Sequence, residues 1–474
     1  MKKNISIQKI YLLVIAITCG VLIAKAQKPN VLFIAVDDLN DFPAFCHRYA
    51  DAKTPNMDRL AARGMVFTNA HTQFPLCGPS RASVMSGLFP ATLGFENHVK
   101  DEFLQEKARE EGTRLLHSYF SDHGYETLAV GKICHHHVPE GSVDVDGGGF
   151  RDIKDSHPDV LFGQRLKLKW HQIGTYTDWG MTPERDDQLV DFHVSKWAVD
   201  QLKASRKKPF FLMVGFQLPH VPWYAPKKWF DLYDRNKITL PRYEPDDLED
   251  VSFTSKQLNI CPEMPHTDWA SEKNQWRDIL HAYLACISYV DAQIGKVLDA
   301  LDASPYRDNT IVVLWSDHGY HMGEKNTFQK QSLWERSSHM PLIFAGPDIK
   351  AGQRCDRVVS LIDLYPTLLD ICGLPANERN QGHSIAPLLA KPDQAWPYPA
   401  ITGWKQGSFA IQTEQYRYML YKDGTEELYD HTKDLDEIKN LFNDPNYRAV
   451  KTELNTELNA ALKRASQRKI SQGK

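Results

Sequence analysis

The stretch Pro75-Leu76-Cys77-Gly78-Pro79-Ser80-Arg81-Ala82-Ser83-Val84-Met85-Ser86-Gly87 decides how the chain is read. A Cys, a Pro, a Ser and an Arg within five positions, followed by a Ser-Gly step, is not the composition of a core segment. Gly78 permits close backbone approach beside Cys77. Pro79 carries the fixed φ of a first helical turn, so the sequence predicts a helix starting near Pro79. The free N–H groups of that turn would face whatever sits at Cys77, an anion-binding arrangement. Arg81 adds a planar cationic fork at the same place. Taken alone, the segment also admits a buried structural cysteine at a helix N-terminus.

Upstream, Asn30-Val31-Leu32-Phe33-Ile34-Ala35-Val36 reads as a buried parallel strand ending in Asp37-Asp38. Open α/β sheets place ligands at the carboxyl ends of their strands, and paired carboxylates there suit a hard divalent cation. A solvated turn is the plainer alternative. Thr54 to Ala61 predicts a capped helix, and Gly64 to Ala70 a strand that delivers the chain to Cys77.

Downstream, the pattern predicts a helix over 113–124 and a strand over 125–131. That strand runs into Lys132-Ile133-Cys134-His135-His136-His137. A helix over 184–204 precedes a strand from Pro209 to Phe216, which opens into Pro219-His220-Val221-Pro222-Trp223. Trp223 and Tyr224 are candidates for stacking on a sugar ring or for plain packing. Residues 275–302 predict a long amphipathic core helix. A second buried strand, Thr310 to Ser316, ends in Asp317-His318-Gly319. The loop beyond it carries Lys325 and Lys330, and Met340 to Phe344 is a further strand. Val358 to Leu369 begins a structural helix. Residues 138–180 and 226–275 are irregular, and long irregular excursions in compact domains often carry specificity. From about 395 the texture changes. Strand candidates at Ser408–Gln412, Tyr416–Tyr421 and Glu427–Tyr429 precede a helix over about 445–464.

The chain has 474 residues, 42% hydrophobic and 24% charged, with a net charge of −4. No global basic field points to nucleic acid. Lys2, Lys3 and Lys9, an apolar run over 10–23 and Ala24-Lys25-Ala26 form an export signal. The run is short for a membrane span, so no stable membrane anchor is expected. Cys19 follows Ala16-Ile17-Thr18, a poor lipid-attachment motif. The expected division is 1–26 signal peptide, 27–394 α/β domain and 395–474 small α+β subdomain, in a periplasmic or secreted protein. Seven cysteines follow the signal without dense spacing or a Cys-x-x-Cys pair, so few disulfides or none are expected and no zinc site.

The Cys77-x-Pro79-Ser80-Arg81 core resembles the signature of type I sulfatases. The resemblance extends, in the family's order, over about residues 29–445. It takes in Asp37-Asp38, Thr54-Pro55-Asn56-x-Asp58-Arg59-Leu60-Ala61-x-x-Gly64, Gly131-Lys132-x-x-His135, Pro219-His220-x-Pro222 and Ser316-Asp317-His318-Gly319. Within the family these look most like iduronate-2-sulfatase and its bacterial polysaccharide-sulfatase relatives. Met85 and Ser86 stand where Leu and Thr are more frequent.

The resemblance implies an alkaline-phosphatase-like α/β fold. Its mixed, mostly parallel sheet is flanked by helices and followed by a small C-terminal antiparallel sheet plus helix. It implies hydrolysis of sulfate esters on a sulfated poly- or oligosaccharide, either uronate 2-O-sulfate of a glycosaminoglycan or an algal polysaccharide such as ulvan. Cys77 would be oxidised by a sulfatase-maturing enzyme to formylglycine. Its hydrate can attack sulfur with one oxygen and release sulfate by collapsing through the other. One Ca²⁺, or Mg²⁺, would be held by Asp37, Asp38, the group at Cys77 and Asp317, with His318 beside it. Arg81, Lys132, His135, His220 and Lys330 would serve the sulfate and the proton transfers, with Lys325 the competitor of Lys330. A phosphodiesterase or phosphonate hydrolase of the same superfamily, and an inactive glycan-binding homologue, are the other classes.

Overall fold

The apolar run beginning at Asn30 forms β1 (Asn30–Val36), buried along its whole length in the middle of a nine-stranded sheet. The computed structural model describes residues 28–49 and 51–467, with side chains as far as residue 463. The expected signal peptide and Cys19 lie outside the described residues. The other strands of the chain's first part are β2 (Gly64–His71), β3 (Glu126–Gly131), β4 (Val145–Asp146), β5 (Trp179–Met181) and β6 (Phe210–Phe216). They are followed by β7 (Trp223–Ala225), β8 (Thr310–Ser316), β9 (His339–Ala345), β10 (Gln353–Cys355) and β11 (Val359–Ser360). The large sheet runs β10-β2-β9-β8-β1-β6-β3-β4, with β11 also on β2, while β5 and β7 pair apart from it. Only β9 runs against its neighbours in this sheet.

Register is what matters for the site. Val36 lies opposite both Phe216 of β6 and Ser316 of β8, and Gly131 of β3 lies opposite Gly215. The residues that follow these four strands therefore leave the sheet side by side at its carboxyl edge. The crossing of β3 and β6 is tight. A Cβ built on Gly215 would lie 1.9 Å from the Lys132 carbonyl oxygen, and one on Gly131 2.0 Å from the Gly215 carbonyl oxygen.

Helices cover both faces. Alternate residues of β1 point to each: Leu32, Ile34 and Val36 to one core, Val31, Phe33 and Ala35 to the other. The first core holds residues of α1 (Pro55–Ala62), α4 (Val190–Lys203) and α5 (Trp276–Asp302). The second holds residues of α2 (Cys77–Ser86), α3 (Leu116–Asp122) and α6 (Leu364–Ile371). Several local expectations shift. α2 starts at Cys77, two residues before Pro79, and ends on Gly87 at φ 71°. Thr54 does not cap α1 through its side chain; Pro55 sets its first turn, and the Thr54 hydroxyl bonds Asp58 instead. α5 has no exposed residue between Ile279 and Asp291, in keeping with its reading as a core helix. The segment from Val358 forms β11 and a 3₁₀ turn before α6 begins.

A four-stranded antiparallel meander follows: β12 (Ala400–Trp404), β13 (Ser408–Gln412), β14 (Tyr416–Leu420) and β15 (Glu426–Asp430). The helix α7 (Arg448–Gln467) lays Leu454 and Leu458 on Ile411, Tyr418 and Leu428. β12 had no counterpart in the sequence reading. It docks just upstream of Cys77, where the Thr402 hydroxyl donates to the Thr72 carbonyl at 2.7 Å and Gly403 N–H to the Gln73 carbonyl at 2.8 Å. The seven described cysteines are unpaired.

The meander also clasps the loop after β8. Buried Arg417 pairs with Glu335 and, at 3.0 Å, with Glu437, and donates to the Leu333 carbonyl at 3.1 Å. The Trp334 indole donates to Glu427 at 3.0 Å. Removing one partner of such a pair strands buried charge at a cost of about 3–5 kcal/mol. Arg417→Ala is therefore expected to lower the melting temperature clearly in calorimetry; an unchanged melting temperature would show that the clasp carries no such load.

Candidate active site

Five segments meet at the carboxyl edge of the large sheet. Asp37 and Asp38 follow β1, Asp317 and His318 follow β8, Lys132 follows β3, His220 lies on the turn after β6, and Cys77 opens α2. Asp38 takes a left-handed φ of 61°, which bends the chain sharply after Asp37. Its N–H donates to Asp317 Oδ1 at 3.2 Å, and its carbonyl accepts the Tyr283 hydroxyl at 2.8 Å. One turn into α2, Arg81 donates from Nε to Asp317 Oδ2 at 2.7 Å and has Nη2 3.6 Å from Asp37 Oδ1. Its Nη1 donates to the carbonyls of Lys132 and Ile133, so the same guanidinium also holds the end of β3. Ser80 Oγ donates to the Asp317 carbonyl at 2.5 Å.

Around Cys77 the contacts are short. Lys330 Nζ lies 2.9 Å from its Sγ and 2.6 Å from Asp38 Oδ1. His318 donates from Nδ1 to the Gly319 carbonyl at 3.0 Å, leaving Nε2 3.3 Å from Cys77 Sγ. His220 donates from Nδ1 to the Val221 carbonyl at 2.6 Å and turns Nε2 toward Asp38, 4.0 Å away. Lys132 Nζ lies 2.5 Å from Asp37 Oδ2.

These groups are buried, so charges act strongly on one another. Burial and Asp37 oppose ionisation of Cys77, yet Lys132 and Lys330 hold the thiol well below its usual range. Burial likewise opposes the Asp37 carboxylate, but Lys132, His220 and Arg81 hold it well below the ordinary carboxylate value. Burial disfavours charging His318, whereas Asp317 and Cys77 raise it to about 9. His135 moves the other way, kept neutral by burial and by Lys132.

Asp37 Oδ1 and Asp38 Oδ2 are buried and have no hydrogen-bond partner. Unpaired buried carboxylate oxygens are costly and are what a cation would satisfy. Ligand atoms of Asp37, Cys77, Asp317 and His318 lie within 4.8 Å of one another, and so do those of Asp37, Asp38, Cys77 and His220. An oxygen-rich donor set of this kind fits a hard divalent cation.

Of the candidates from sequence, Asp37, Asp38, Cys77, Arg81, Lys132, His220, Asp317, His318 and Lys330 converge. His135 lies further out, half-buried beside His98. His137 is structural, bonding the Gly131 carbonyl at 2.7 Å and Asp146 at 2.8 Å. Lys325 is buried elsewhere, on Asp247 at 2.6 Å, and does not reach Cys77. Trp223 and Tyr224 are buried and cannot stack on a sugar; the Trp223 indole instead donates to the Pro219 carbonyl at 2.8 Å and steadies the His220 turn. Sequence reading missed Ser80, Tyr283 and His98. Tyr283 was taken with its helix as core, and its ring is core; only its hydroxyl reaches Asp38, which spacing does not reveal.

The sulfatase family profile matches residues 29–374. The chain belongs to the sulfatase family. It is a sulfuric ester hydrolase. Residues 323–464 also match the C-terminal profile of N-sulphoglucosamine sulphohydrolase. A "Sulfatase" of Formosa agariphila is 42% identical over 432 residues, 90% of this chain and 85% of that protein. A Delta 4,5-hexuronate-2-O-sulfatase of Bacteroides thetaiotaomicron is 30% identical over 455 residues, covering 92% and 89%. Among solved structures, a 2-O GAG sulfatase superposes with a TM-score of 0.73 at 25% identity, covering 93% of each chain. A phosphonate monoester hydrolase from Silicibacter pomeroyi, 19% identical with a TM-score of 0.75, covers 92% of this chain and 96% of its own and shares the fold.

The two loop lysines of this sulfatase separate cleanly by experiment. Lys330→Ala is expected to lower kcat/KM about 10²- to 10³-fold, the scale of losing one preorganised charge contact, with the fold intact. Lys325→Ala is expected to lower the melting temperature while leaving kcat of the folded fraction nearly unchanged. The reverse pattern would exchange their roles.

Proposed function

We propose that this sulfatase is an exported, formylglycine-dependent enzyme that removes 2-O-sulfate from uronic acid residues of a glycosaminoglycan, or of an algal polysaccharide such as ulvan. The observation that carries the mechanism is Cys77 at the first turn of α2, in contact with Lys330 and His318 and ringed by Asp37, Asp38 and Asp317. The uronate assignment is supported by the Delta 4,5-hexuronate-2-O-sulfatase, similar over nearly the full length of both chains.

Asp37, Asp38 and Asp317, with the group at position 77, would hold one Ca²⁺ or Mg²⁺, which supplies positive charge for a sulfate oxygen and the nucleophile. Formylglycine, made from Cys77 by a maturing enzyme, supplies an oxygen nucleophile at that position. Arg81 does not need to touch substrate to matter: its bonds to Asp317 and to the Lys132 carbonyl fix two walls of the site. Lys132 and Lys330 neutralise the sulfate and the charge that grows during its transfer. His318, oriented through Nδ1, presents Nε2 to position 77, where it can give a proton and take it back. His220 is turned the same way by the Val221 carbonyl and faces the sulfate side. His135, kept neutral and outside this ring, would offer a ring N–H as a hydrogen bond to the leaving sugar oxygen.

Peptide mass spectrometry of protein co-expressed with a sulfatase-maturing enzyme is expected to show the thiol-to-aldehyde mass change at Cys77. The matured protein is then expected to desulfate a 2-O-sulfated Δ4,5-hexuronate disaccharide. An unmodified thiol, in a host that converts a control sulfatase, would overturn the nucleophile. Turnover of phosphonate monoesters in preference to sulfate esters would overturn the substrate class. Chelation of divalent ions should abolish turnover and readdition of Ca²⁺ or Mg²⁺ restore it; full activity in excess chelator would remove the cation from the scheme.

A further inference from the structure

His98 belongs to none of the sequence motifs, yet it reaches the first turn of α2. Its imidazole lies face to face with that of His135, centroids 3.8 Å apart and planes 12° apart. His136 packs edge-on against His135, at 4.4 Å and 70°. The approach depends on Gly78: a Cβ at that position would lie 2.7 Å from His98 Nδ1 and 3.0 Å from its Cα. The residue next to Cys77 thus lacks a side chain where His98 comes in. His135 makes no hydrogen bond among the described residues, and its Nδ1 is buried without a partner. No hydrogen bond therefore fixes its ring plane, against which His98 stacks face to face. Burial keeps both rings of the stacked pair uncharged, with His98 held down at about 4 and His135 lower still, so no like-charge repulsion opposes the stack.

We propose that His98 is a positioning residue of this sulfatase, fixing by ring stacking the imidazole of His135 beside Lys132. It rests on the reading of His135 as the group that serves the leaving oxygen. A neutral imidazole that must meet the leaving oxygen through a ring N–H hydrogen bond loses effectiveness when its ring can swing, and small misplacements cost rate steeply. His98 itself need not exchange a proton; a flat ring at that position suffices.

The test is a double-mutant cycle on the matured full-length enzyme with His98→Ala, His98→Phe, His135→Ala and the His98→Ala/His135→Ala pair. Two substrates are used: a 2-O-sulfated Δ4,5-hexuronate disaccharide, and 4-nitrophenyl sulfate, whose leaving group departs without a proton. His98→Ala is expected to lower kcat on the disaccharide about tenfold with little change in KM, and His98→Phe to restore most of it. In the His135→Ala background, His98→Ala should change kcat by less than about twofold, because the group it positions is already gone. Additive losses, or no rescue by His98→Phe in protein of unchanged melting temperature, would overturn the proposal. The reading of His135 is judged separately, by whether His135→Ala hurts the disaccharide more than 4-nitrophenyl sulfate. Equal losses there would remove the role of His135 at the leaving oxygen, while non-additivity on whichever ester is turned over still decides His98.

Discussion

Asp37 and Asp317 leave adjacent parallel strands at the same level, and Asp38 is bent back beside them. Asp37 has a carboxylate oxygen within 4.8 Å of one on Asp38 and of one on Asp317, and at an effective dielectric near 20 each of these two pairs repels by roughly 3–4 kcal/mol. A folded chain tolerates that only with compensating charge close by. Arg81, Lys132 and Lys330 provide it, each from a different segment, and each makes a contact of 2.7 Å or less to one of the three acids. The site is in this sense an electrostatic knot. The acids set where the cations must be, and the cations hold strand ends and loops that share no local sequence. The same balance makes the place attractive to an anionic sulfate ester and to a divalent ion, because the charges are present, buried and already oriented before either arrives.

The C-terminal meander takes part in that balance from a distance. Lys330 sits on a loop with no regular structure around it, and a loop lysine would ordinarily be a solvated charge. Arg417, Glu427 and Glu437 grip the residues that follow it, while β12 bonds the backbone just before Cys77. The small sheet therefore holds two of the walls between which Cys77 and Lys330 come to 2.9 Å. Its buried ion pairs have a positional consequence that surface pairs would not have, since their geometry is set by packing on all sides.

Glycines act here through the space they leave. Gly215 and Gly131 allow β3 and β6 to close on each other, which brings Lys132 into line with Asp37. Gly78 admits His98 to the edge of α2. In each case a methyl group would displace a backbone or ring that carries a site residue.

Much of this was legible in the sequence. Uniform apolar runs ending in acids gave away β1 and β8 and the level of the site, because a buried strand has a simple signature and its first polar residue marks its end. The Cys77 to Arg81 segment and the flanking motifs named nine of the groups that converge. Other features were decided only by the tertiary structure. For Lys330, already preferred to Lys325 from the sequence, packing supplied the reason: it finds Asp38 at the sheet edge, while Lys325 finds Asp247. Trp223 and Tyr224 lost their candidacy because β7, the short strand they open, is buried against α5. His98, Ser80 and Tyr283 gained roles from contacts between segments distant along the chain. Periodicity and spacing report local geometry; they carry no information about which distant side chain will fill the space beside a glycine or the open lone pair of a buried acid. The chain by itself determined the central strands, the acids at their ends and the Cys77 to Arg81 segment. Long-range packing and the pairing of buried charge determined which partners those residues met.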